Sequence, residues 1–241
     1  MRRPMDVFSE SISDRSGQVL SGRRVLFLWM AFTVAGSVAP VLVWNFVPKE
    51  GAWVPLLFPV PIMVLSAIQW ILLRRFVPEL SIWAWVISSA IGQVLSYGVS
   101  ALLGLIYFTS ITFFTSLGVL GIFGWSALAE GFGASVIGFT QWCILQRHFK
   151  AAHRWVLATF VAGALLSLVR TGLLVTFLQS NLEVAVLGFI DRVIEGILLG
   201  GFTGVVLIWF LARGTIGSEP ADGAPPEAPL ASPVGAVEQQ G

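Results

Sequence analysis

Charge is what this 241-residue chain has least of: Asp, Glu, Lys and Arg make up 11% of it, against 56% apolar residues. So small a polar stock cannot cover the surface of a soluble domain, and the chain belongs in a bilayer. Cysteine is nearly absent as well. Cys143 stands alone, which excludes an intramolecular disulfide and leaves the redox compartment unread. Histidine occurs only at His148 and His153, between two apolar runs. No histidine inside a span is therefore present to hold haem or chlorophyll, and two loop histidines without cysteine or close carboxylates make a poor metal site. No cofactor is expected. Gly-x-Ser-x-Gly, His-Glu-x-x-His and paired-aspartate motifs are missing, and the loops are too short to house a soluble active site, so the chain does not read as an enzyme.

What is present is a series of long apolar runs. Residues 25–47, 54–73, 82–105, 124–146 and 155–178 approach or exceed the roughly 20 residues that cross a hydrocarbon core about 30 Å thick. A sixth run, 188–212, carries Asp191, Arg192 and Glu195 near its start. Between the third and fourth lies "LIYFTSITFFTSLGVLGIFG", long enough to pass for another span. Basic residues decide the count, because they concentrate in cytoplasmic loops. Six spans with both termini inside place Arg2, Arg3, Arg15, Arg23, Arg24, Arg74, Arg75, Arg147, Lys150, Arg154 and Arg213 in the cytoplasm, and leave the outer loops Lys49 alone. A further span through 105–123 would move Arg147, Lys150 and Arg154 outside. That stretch is expected to form helix extensions with an outer loop or interfacial helix.

The expected fold is thus an all-α integral membrane protein of six transmembrane helices. Residues 1–24 form a cytoplasmic N-terminal segment, 25–213 the transmembrane domain, and 214–241 a cytoplasmic tail. The N-terminal region reads as an uncleaved signal anchor, since Pro40 directly after Ala39 opposes cleavage at "AGSVA". The tail, "GTIGSEPADGAPPEAPLASPVGAVEQQG", has too little apolar surface to fold alone and is expected to be disordered.

The runs repeat. "SAIQWILLRRF" at 66–76 and "GFTQWCILQRHFK" at 138–150 share Gln-Trp-x-x-Leu-x-Arg, and "GFTGVVLIWFLAR" at 201–213 aligns on its Gly-Phe-Thr, with Gly204 in place of Gln141 and the tryptophan moved to Trp209. Odd-numbered spans agree more loosely: "AFTVAG" at 31–36 resembles "ATFVAG" at 158–163, and Trp83 and Trp155 follow the two motif copies at one distance. Three tandem two-helix hairpins are the expected plan. Tryptophan and arginine in the motif suit the headgroup region. Gln69 and Gln141 lie roughly 8 to 9 Å deeper, where an unpaired amide is costly, so both are expected to face protein as hydrogen-bonding clamps between helices.

The repeated motif resembles that of bacterial multi-pass membrane proteins built from such hairpins, over about residues 60–213. The resemblance implies an architecture and a plasma (inner) membrane location, and supplies no catalytic residue. The three-hairpin plan also looks superficially like the mitochondrial carriers, whose Pro-x-Asp/Glu-x-x-Lys/Arg signature is missing after the odd spans.

Ionisable groups at membrane depth are the candidate functional residues, because charge there is costly and is paired or reaches an aqueous cavity. Counted from the cytoplasmic ends, Glu130, Arg170 and Glu195 stand roughly 25, 22 and 27 Å up, one outer layer joined by Asp191 and Arg192, with Glu130 and Arg170 expected as mutual partners. Glu130, Arg170, Asp191, Arg192, Glu195, Gln69 and Gln141 form the candidate buried polar or ligand-binding set. The leading expectation is a non-enzymatic scaffold or accessory subunit that meets the lipid bilayer and a membrane-protein partner or second copy, without nucleic acid. The alternative is a small transporter or channel with an outer-facing charged vestibule, in which Pro40, Pro59 and Pro61 interrupt helices near the pathway.

Overall fold

The computed structural model describes residues 11–13, 19–44, 60–177 and 184–213. A short antiparallel pair, β1 (Ser11–Ser13) and β2 (Val19–Ser21), sets Ser11 opposite Ser21 and leads into the first helix. All other described elements are helices: α1 (Gly22–Trp44), α2 (Val60–Phe76), α3 (Ile82–Thr109), α4 (Ile111–Ser116), α5 (Gly118–Leu145), α6 (His153–Phe177) and α7 (Val184–Arg213). Four of them, α3, α5, α6 and α7, are long and apolar enough to cross a membrane. Helix α1 has 23 residues and the described part of α2 has 17; neither joins that set. The start of the run expected at 54–73, Lys49, the loop at 48–53 and the tail at 214–241 lie outside the described residues.

Two local expectations meet the structure directly. The 105–123 stretch contains the end of α3, the single-turn α4 and the start of α5, with Gly118 at φ 65° making the last turn in a conformation that glycine adopts without strain. Aromatic rings hold this corner: Phe114 stacks on Tyr107 at 5.5 Å and lies 4.7 Å from Trp125. Pro40, by contrast, does not interrupt its helix as expected: α1 runs through it. Pro61 is the second described residue of α2. Pro59 lies outside the described residues.

Each long helix packs on the next, α1 on α2, α2 on α3, α3 on α5, α5 on α6 and α6 on α7, and α7 returns to α1, closing a ring. Small residues set the tightest seams. A side chain on Gly138 would overlap Thr159, one on Gly163 would meet Ala134 at 2.6 Å, and one on Gly196 would meet the α1 backbone at Val34 at 2.5 Å. The Gly196, Gly200, Gly204 stripe of α7 thus lies against Val34, Met30 and Trp29 of α1, and it is this stripe that closes the ring.

The outside and inside of the ring are inverted relative to a water-soluble bundle. Phe27, Trp83, Leu102, Phe108 and Leu120 are exposed, whereas Thr33, Ser66, Gln69, Ser89, Gln141, Thr159 and Thr203 are buried. A lipid solvent produces that distribution, since polar groups then gain by facing one another. Apolar burial is concentrated at one end, where Val25, Trp29, Leu73, Val77, Leu80, Trp85, Leu145, Phe149, Trp155, Leu207 and Phe210 form a continuous core. This is the end that carries Arg23, Arg24, Arg74, Arg75, Arg147, Lys150, Arg154 and Arg213. There Arg74 lies over Trp70, and both Arg154 and Arg213 lie over Trp209 at 4.0 and 4.1 Å, so the motif tryptophans hold the basic rim as the anchor reading requires.

Candidate solute cavity

Above the apolar core the ring encloses a cavity of about 420 Å³, to which all six long helices contribute lining residues. Its floor rests on three tryptophans, of which Trp155 lines the cavity and Trp29 and Trp85 pack against it. Trp29 of α1, Trp85 of α3 and Trp155 of α6 are all buried, and Trp155 meets the other two edge-on at 5.9 and 6.1 Å. The indole N–H of Trp155 donates to Gln141 Oε1 at 2.8 Å, and that of Trp29 donates to Thr203 Oγ1, also at 2.8 Å. Each bond joins one helix pair to the preceding one around the ring, α6 to α5 and α1 to α7. The amides then reach back within their pair: Gln69 Nε2 donates to Thr33 Oγ1 at 3.3 Å, and Gln141 Nε2 to Ser89 Oγ at 2.9 Å.

A repeating unit is visible in these contacts. Thr33, Ser89 and Thr159 each stand four residues after a floor tryptophan, one helical turn deeper. Gln69 of α2 and Gln141 of α5 donate to Thr33 and Ser89, and Thr203 of α7 accepts from Trp29 as Gln141 accepts from Trp155. The third member is therefore Thr203, and not the Gly204 expected from aligning Gly-Phe-Thr. Likewise Trp85, and not Trp83, corresponds to Trp155; Trp83 is 69% exposed on the outer surface. By the same pattern Trp85 Nε1 is expected to donate to Gln69, yet it is buried without a partner. Sequence reasoning missed this belt, although Trp-x-x-x-Ser/Thr at 29, 85 and 155 was the signal that marks it.

At the opposite end, eleven residues along α5 from Gln141 or roughly 16 Å, lies a charged layer. Arg170 of α6 donates from Nε to Asp191 Oδ1 at 2.6 Å and from Nη2 to Asp191 Oδ2 at 2.9 Å, a bidentate pair with α7. Arg170 Nη2 also reaches Glu195 Oε2 at 3.2 Å, and Arg192 Nη1 donates to that same oxygen at 2.6 Å. Glu130 of α5 is 4.0 Å from Arg170 Nη1 with 53% of its side chain exposed. The expected Glu130–Arg170 pair is thus corrected: Asp191 is the close partner of Arg170, and Glu130 stands at the edge of the network. Of the seven candidate residues, Glu130, Arg170, Arg192, Glu195, Gln69 and Gln141 line the cavity, and Asp191 joins them through Arg170.

The walls between floor and charged layer mix polar side chains with Ile62, Leu65, Ile137 and Leu166. Ser37, Gln93, Ser96 and Ser100 line the cavity, and the Ser37 hydroxyl is buried without a hydrogen-bond partner. No group of His, Cys, Asp and Glu among the described residues is arranged to hold a metal ion.

Fold and site together define a class: a helical membrane protein with an apolar exterior, an interior cavity that carries charge at one end, and the other end sealed by a packed aromatic core. No protein-family model, curated protein or solved structure matches the chain.

Proposed function

We propose that the protein is a six-span membrane protein, three tandem hairpins with both termini cytoplasmic, that admits a small polar solute to its central cavity from the outer side and so works as a transporter. The observation that carries this reading is the cavity itself: lined by polar and apolar residues from all six long helices, charged at one end and closed at the basic end over a core of packed tryptophans. A bundle with only a structural role gains nothing from such a space, since membrane helices associate best when they pack without voids. The volume lies within the range of small-molecule sites. Sealing at the basic, cytoplasmic end corresponds to the outward-facing state of a cycle in which the tryptophan belt later opens. The scaffold reading keeps less support, because short loops and small-residue seams are equally what a compact transporter needs. No enzymatic role is proposed, and the plasma (inner) membrane location follows the basic-end bias and the bacterial resemblance.

Cysteine labelling of intact cells in a Cys143→Ser background tests this. Ser100→Cys should react with a membrane-impermeant maleimide added outside, as should positions within 111–117, while Arg75→Cys and Lys150→Cys should stay protected until the cells are opened. Outside reaction at position 150 would defeat the six-span topology. Protection of position 100 in cells whose 111–117 positions react would defeat the outward-open cavity.

A further inference from the structure

Charge in the cavity is unbalanced at one identifiable side chain. Among the described residues the layer holds Glu130, Asp191 and Glu195 against Arg170 and Arg192. Arg170 is engaged by both oxygens of Asp191, and Arg192 by Glu195, so each base already has a close carboxylate. The remaining negative charge falls to Glu130, whose single ion contact is 4.0 Å long. Facing the same space is an oxygen atom with no partner, Ser37 Oγ, in a residue only 6% exposed. Ser96 and Ser100 approach α5 next to Glu130's own turn, each within 3.2 Å of where a Gly133 side chain would begin.

We infer that the cavity takes a small organic cation, an ammonium head held by Glu130 with a hydrogen-bonding body that runs along the wall at Ser96 and reaches the unpartnered hydroxyl of Ser37. This rests on the solute-cavity reading above. An unpaired carboxylate in a space with low-dielectric walls attracts cations and repels anions. An unsatisfied buried hydroxyl oxygen costs free energy until a donor meets it, which a protonated or hydroxylated solute supplies. A bare monovalent ion leaves most of a 420 Å³ space empty, which is why the commitment is to an organic cation.

The test uses the full-length Cys143→Ser protein in membranes, with Ser96→Cys on α3 and, independently, Ser37→Cys on α1. Each is treated with a trimethylammonium methanethiosulfonate and with a sulfonate methanethiosulfonate, and rates are normalised to those with a free thiol in solution. The cationic reagent should be favoured by about tenfold, the effect of one net charge about 10 Å away in a medium of intermediate dielectric, and Glu130→Gln should bring the ratio near one. A ratio near one before that substitution, or faster reaction of the anion, would overturn the proposal while leaving a solute cavity in place. No reaction of either cysteine with either reagent, with full reaction after unfolding, would overturn the cavity reading itself. In purified protein, ethanolammonium chloride should raise the melting temperature above that in sodium chloride at equal ionic strength, and Glu130→Gln should remove the difference. Equal stabilisation by sodium would refute an organic cation.

Discussion

Arg170→Met removes the cation that holds the charged layer together, and the structure sets how that loss divides among its partners. Asp191 loses two hydrogen bonds of 2.6 and 2.9 Å and Glu195 loses one of 3.2 Å, whereas Glu130 loses only a 4.0 Å ion contact. Stranding one member of a buried pair costs about 3 to 5 kcal/mol. Arg170 and Asp191 are 31% and 28% exposed in their side chains, so solvent screening brings the cost below that scale, to about 2 to 3 kcal/mol. Glu130 is half exposed, and its contact falls in the range of surface pairs, about 0.2 to 1 kcal/mol. A double-mutant cycle in mild detergent, followed by denaturant unfolding, separates the two. Arg170→Met with Asp191→Asn should be less destabilised than the two single changes added together, with coupling near 2 kcal/mol. Arg170→Met with Glu130→Gln should be nearly additive. Coupling to Glu130 as strong as coupling to Asp191 would refute the division of the layer drawn above, and with it the assignment of the excess charge.

Three further outcomes follow from the packing. Trp85→Phe should cost about 1 kcal/mol less in thermal or denaturant unfolding than Trp155→Phe, because Trp85 Nε1 is buried without a partner while Trp155 Nε1 is bonded to Gln141. Gly138→Ala should destabilise by more than about 1 kcal/mol, since the new methyl overlaps Thr159, while Gly201→Ala, with open space around it, should stabilise by about 0.5 to 1 kcal/mol; the opposite order in a melting series would refute the α5–α6 seam. Ala151→Gly should raise stability by about 1 kcal/mol, because Ala151 holds φ 62° in the turn before α6, and an unchanged melting temperature would show that the turn adopts another conformation.

The sequence by itself determined the solvent of this protein, the position of most of its helices and the depth of its charged layer. Those properties depend on composition and on distance along a helix, which a linear sequence carries directly: Glu130, Arg170 and Glu195 were placed in one layer by counting residues, and they meet there. Gln69 and Gln141 were likewise expected to face protein because an amide at that depth needs a partner, and both are buried with one. Angular position was the tertiary structure's to decide. One residue turns a helix by about 100°, so an alignment that slips by one or two positions points to a different neighbour. That is why Gly-Phe-Thr matched Gln141 to Gly204 when Thr203 faces Trp29, and why Trp83 was paired with Trp155 when Trp85 fills the floor. Partner choice has the same origin. Asp191 and Glu130 stand in one layer and carry one charge type, and only the rotation of α7 against α6 brings Asp191 to 2.6 Å of Arg170 while Glu130 stays at 4.0 Å. The cavity is a further step removed, since it exists only because the glycine stripe of α7 lets that helix meet α1 and close the ring.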